Sequence, residues 1–135
     1  MREIKFRGKG KKDGKWYFGN LYDIDTYGRT HICTINGGCL DIEPETVGQF
    51  TGFYDCDGKE IYEGDILLVT SSKRMFTSVV MWDKKEAYYK LLYWGTGNIL
   101  HQTPLFRWLN DTILEVTGNI HDNPEFMRGY NEYFQ

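Results

Sequence analysis

Polar turn steps punctuate this chain: Asp13-Gly14, Asn36-Gly37-Gly38, Asp57-Gly58 and Asp83-Lys84-Lys85-Glu86. Each lies between short runs rich in aromatic and β-branched residues. Asp and Asn followed by Gly accept the positive φ that tight hairpins demand, so a chain divided in this way folds by pairing neighbouring short strands. Ten Tyr, eight Phe and four Trp, 16% of the residues, together with 15 Gly, fit the same reading.

The strands follow from the turns. Ile4 and Phe6 alternate with charged neighbours ahead of the first turn, and Trp16-Tyr17-Phe18 leads from it through Gly19 to Leu21 and Tyr22. A second pair is expected at 31–35 and 39–42, with Pro44 starting a single helical turn after it. Residues 66–69, Ile-Leu-Leu-Val, show no polar alternation and predict a strand covered on both faces. Runs 76–82 and 87–94 form a further hairpin. Thr103 and Pro104 read as the cap and first residue of a short helix to about Asn110, 113–116 as the last strand, and Pro124 as the start of a terminal helix capped by Asn123. The sum is a mainly β fold with one or two short helices, in which many short strands argue for a small barrel or sandwich.

The acidic stretch FYDCDGKEIYEGDILLV raises a choice between metal binding, acid–base chemistry and a turn. With Gly58 at position 6 of a calcium loop, Asp55 and Asp57 fall at ligand positions, but Phe53 and Gly64 occupy two others that need oxygen. A hairpin at Asp57-Gly58, with Ile61, Ile66 and Leu68 buried nearby, is the simpler account. His31, Cys33 and Cys39 are ligand types, yet H-x-C-x5-C lacks the tight chelating pair of structural zinc sites. On a strand His31 and Cys33 share one face. No local feature marks an activated thiolate, so no catalytic residue, metal ligand or cofactor is assigned and the protein is expected not to be an enzyme. Three cysteines without a CxxC pair are expected to stay reduced.

Charge is uneven. Residues 1–16 carry seven Lys or Arg against two acids, in a chain whose net charge is −3. Arg7, Lys9, Lys11, Lys12 and Lys15 cluster on the first hairpin, followed by Trp16, Tyr17 and Phe18. A basic groove beside stacking rings is how small barrels hold single strands, so Arg7, Lys9, Lys11, Lys12, Lys15 and Trp16 form a candidate nucleic-acid site. The same lysines also suit neutralising the protein's own acids. No apolar stretch nears the ~18 residues of a membrane span, and the basic start has no apolar core of a signal peptide, so a cytoplasmic protein is expected.

Several stretches together resemble the YopX family of phage and prophage proteins: MREIKFRGK with GKWYFGNL at the start, EPETVGQFTGFYDCDGKEIYEGDILLV, VVMWD, and EVTGNIHDNPEF, in that order. The resemblance implies a mainly β fold, with a smaller amino-terminal portion (1–46) before a barrel-like carboxyl-terminal domain (47–135). It implies no accepted catalytic residues, and none is carried over. At Tyr54-Asp55-Cys56 this chain departs from the lysine-containing turn more typical there. The expected function is a non-catalytic accessory protein of a phage or integrated element, acting in the bacterial host by association with a protein, including copies of itself. The alternative is a nucleic-acid-binding barrel using the basic hairpin.

Overall fold

Eleven strands are present in the computed structural model, which describes residues 1–22 and 26–130. They are β1 (Phe6–Lys9), β2 (Trp16–Tyr22), β3 (His31–Thr34), β4 (Gly38–Asp41), β5 (Gly48–Tyr54), β6 (Glu60–Tyr62), β7 (Asp65–Thr70), β8 (Met75–Asp83), β9 (Tyr88–Trp94), β10 (Leu100–Pro104) and β11 (Ile113–Asn119). Among the described residues the strands pair antiparallel, in sheets ordered β4-β3-β2-β1-β5-β6 and β10-β9-β8-β7-β11. The fold is mainly β, as the turn pattern implied. Among the described residues no helix is long and apolar enough to cross a membrane.

The chain divides into two compact units, Met1–Gly52 and Phe53–Gln135. In the first, β1 and β2 form the expected hairpin, with Lys9 opposite Trp16 and Arg7 opposite Phe18. Gly48 and Gln49 pair with Arg7 and Phe6, which draws the start of β5 into this unit. The β3–β4 hairpin turns over 35–37, where the Gly37 N–H donates to Thr34 Oγ1 at 2.8 Å. Pro44 opens a 3-10 turn to Thr46, and a bridge between Gly10 and Ile42 ties the end of the second hairpin to the end of the first. Ile32, Ile42 and Phe50 are buried and form its apolar interior.

The second unit is built on the strand predicted from 66–69. Ile66, Leu67 and Val69 are buried and Leu68 is half-buried, flanked in register by β8 and β11. Ile61, Leu67, Val69, Val80, Leu91, Tyr93, Leu105 and Leu114 make one core. The abundant rings gather beside it: Phe76 lies 4.1 Å from Tyr93 and 5.1 Å from Trp108, centroid to centroid, and the Arg74 guanidinium covers all three.

The sheet of this unit does not close into a barrel. β10 and β11 are its two edges, and the segment between them folds as a 3-10 turn, Leu105–Trp108, whose Leu105 is fully buried. A side chain from this turn fills the core, so the sheet's face is covered without β10 pairing with β11. The expected helix is thus a single 3-10 turn, and Thr103 is not its cap: its hydroxyl accepts from the Trp108 indole N–H at 2.7 Å, and Pro104 occupies the cap position. A 3-10 segment does begin at Pro124 and runs to Tyr130. Asn123 serves it through its backbone carbonyl, while its side chain accepts from the Asn119 N–H.

Two local features answer questions raised by the sequence. Gly58 has φ +78°, with open space where a side chain would stand, so the glycine meets a backbone need and not a packing one. The cysteines correct the expectation of three reduced thiols: Cys33 and Cys39 form a disulfide, and Cys56 is free and exposed. The missing consideration was register, because a turn over 35–37 sets Cys33 directly opposite Cys39.

Candidate functional site

The six basic-hairpin residues separate into two groups. Cross-strand pairing brings Arg7, Lys9 and Trp16 together, with the Arg7 guanidinium 4.7 Å and the Lys9 ammonium 5.7 Å from the indole ring. Arg7 is only 7% exposed. The ring that was to stack on a base therefore already carries two cations. Lys11, Lys12 and Lys15 are exposed in the turn. Among the described residues no carboxylate lies within ion-pair distance of Lys11 or Lys12. The turn itself is fastened by Asp13, which accepts from the Tyr17 hydroxyl and from the Lys15 N–H at 3.0 Å. The Tyr17 hydrogen bond holds the Asp13 carboxyl below its ordinary range.

Beside this hairpin runs a groove of about 620 Å³, lined by Ile4, Phe18, Ile35 and the backbone of Gly19 and Gly37 among others. Ile35 is 98% exposed, Ile4 54% and Phe18 46%. Lys5 is the one cation of the lining, and it sits 3.2 Å from Glu3. The groove thus offers apolar side chains beside the polar Asn20, Thr34 and Asn36, with its one cation within ion-pair distance of Glu3. Composition hid it, since isolated exposed aliphatic residues are common and only the fold shows that these converge.

The β3–β4 hairpin presents a second arrangement. The pleat places His31 opposite Asp41 and Cys33 opposite Cys39 on one face. His31 Nδ1 is 3.1 Å from Asp41 Oδ1, and Arg29 approaches Asp41 at 3.9 Å. The sequence reading had His31, Cys33 and Cys39 but not Asp41. Asp41 comes opposite His31 only because the turn lies one position earlier than expected, at 35–37.

The acidic stretch distributes its carboxylates among structural tasks. Asp55 Oδ1 accepts from the Asp57 and Lys59 N–H groups at 2.9 and 2.8 Å, and Oδ2 from Val116 N–H at 3.0 Å. Burial pushes its carboxyl up, but the N–H groups of Val116, Lys59 and Asp57 more than offset this and hold it below the ordinary value of 3.8. Asp65, almost fully buried, accepts from Tyr62 N–H at 2.7 Å, and Glu60 from the Tyr62 hydroxyl at 3.2 Å. Asp57 is exposed at the turn. No three His, Cys, Asp or Glu among the described residues gather as a metal site.

The family model described as YopX protein matches residues 5–128. No curated protein matches the chain.

Proposed function

The chain belongs to the YopX family, with a match that covers nearly its whole length, and from that premise we propose that it is a non-catalytic binding module of a phage or integrated element. It works in the host cytoplasm by protein–protein association. The observation that carries this reading is the groove of the first unit, whose lining brings together the solvent-exposed Ile4, Phe18 and Ile35. Exposed apolar side chains that converge are suited to a partner's apolar side chains, and the centre of an interface is where such groups gain most. The groove's single cation is paired, so it does not invite a phosphate backbone.

The nucleic-acid reading keeps Lys11, Lys12 and Lys15 but loses Trp16 as an open stacking platform. A pull-down from host lysate, with and without nuclease, separates the two. The double variant Ile4→Asp/Ile35→Asp should lose a specific protein that the parent retains after nuclease treatment, and Lys11→Glu/Lys12→Glu should retain it. Both variants change exposed side chains and should melt like the parent. A partner that disappears on nuclease treatment and with the lysine variant would overturn the proposal.

A further inference from the structure

The disulfide of the first unit is a reactive feature that the docking reading leaves unused. Cys33 and Cys39 are joined across the β3–β4 hairpin, six positions apart. A bond that closes so short a loop removes little freedom from the unfolded chain, and the register it spans is already set by the turn and by three further pairs. As a staple it adds little.

Its surroundings suit reaction. β4 is the outermost strand of its sheet and Cys39 is exposed, so among the described residues no strand lies over the side from which an incoming thiol would approach. Tyr22, His31, Cys33 and Cys39 line one surface cavity of about 250 Å³. His31 is on the same strand and face as Cys33, and its Nδ1 lies 3.1 Å from Asp41 Oδ1. An accessible disulfide sulfur to be attacked, an imidazole beside it to carry the proton and a carboxylate next to that imidazole are the parts of an assisted sulfur exchange. Cys56 offers the contrast within the same chain. Partial desolvation and the charges of Asp57, Asp55 and Glu115 push its thiol up, which makes it a poor thiolate.

We propose that Cys33–Cys39 is a thiol–disulfide exchange site that accepts two electrons from the dithiol of a partner protein, with His31 carrying the proton. The first donor thiol gives its proton to His31, and its sulfur attacks Cys39 Sγ. A donor–Cys39 bond forms, the Cys39–Cys33 bond breaks, and Cys33 departs as a thiolate that takes the proton from His31. The donor's second thiol then attacks its own partner sulfur in the mixed disulfide and releases Cys39 as a thiol. The donor ends as a disulfide, and Cys33 and Cys39 end as thiols. Cys33 lines the groove as well as this cavity, but the exchange needs no partner seated in the groove.

The test uses the oxidised full chain with thioredoxin, its reductase and NADPH, followed by alkylation and mass measurement. Two new alkylated cysteines, at Cys33 and Cys39, should appear in the folded protein, with Cys56 constant. A thioredoxin lacking its resolving cysteine should be trapped on Cys39. His31→Gln should slow the exchange by about a hundredfold, the scale of positioned acid–base assistance, and added imidazole should restore part of the rate. A disulfide that opens only in denaturant would overturn the proposal. So would a His31→Gln variant that exchanges as fast as the parent.

Discussion

Asp55→Ala should destabilise the second unit by about 2–4 kcal/mol, because it strands three backbone N–H groups of which one belongs to another strand. The carboxylate closes the Asp57-Gly58 turn through the N–H groups of Asp57 and Lys59, and it reaches 61 residues along the chain to Val116 in β11. Asp55→Asn preserves the shape but turns an NH2 toward a donor, so it should recover only part of the loss. The same contacts fix the pH dependence. The folded carboxyl lies below its ordinary value of 3.8, so the folded state binds fewer protons than the unfolded chain. Its contribution is therefore full above about pH 4 and is lost as pH falls through the lowered folded value. Urea unfolding at pH 7 and pH 3 should show the gap between parent and Asp55→Ala narrowing at the lower pH. An equal gap at both values would mean that Asp55 contributes through its size and not its charge.

The second large effect concerns Gly19 in β2. A Cβ built there would lie 2.2 Å from the Cys33 carbonyl oxygen and 3.0 Å from its carbonyl carbon. These are backbone atoms of the neighbouring strand and cannot swing aside as a side chain would. Gly19→Ala should therefore push β2 from β3 at a cost of about 2–3 kcal/mol, and Gly19→Val should cost more. Gly14→Ala is the control, since its Cβ meets nothing and its φ of +67° adds only backbone strain of about 1 kcal/mol. Thermal melts of the two alanine variants should differ clearly. Equal melts would place β2 and β3 further apart than described.

What could be read in the sequence depended on how far each signal reached. Hairpins were legible because Asp-Gly and Asn-Gly act over a few residues, and the β3–β4 turn falls within one position of its expected place. The buried strand at 66–69 was legible because it lacks alternation. Closure of the sheet was not, since it turns on where Leu105 goes, and a local Thr-Pro signal says nothing of the Trp108 indole that takes Thr103's hydroxyl. The disulfide was not: a turn at Asn36-Gly37-Gly38 sets Cys33 against Asp41, and only the shift of one position to 35–37 brings Cys33 against Cys39 and His31 against Asp41. The groove was not, because Ile4, Phe18 and Ile35 lie on three separate segments.

The acids of 55–65 turn the chain at Asp55 through its hydrogen bonds to the Asp57 and Lys59 N–H groups. Its third bond, to Val116, is a long-range tie that no local pattern could reveal.

The central claim is that the first unit docks a protein partner in the groove between Ile4 and Ile35. Amide hydrogen exchange, measured on the captured complex and on the free protein, tests it most directly. The account predicts slowed exchange at residues 18–20 and 34–37 on binding, with the lysine turn at 11–15 unchanged. Slowing confined to the lysine turn, with the groove exchanging as in the free protein, would contradict it.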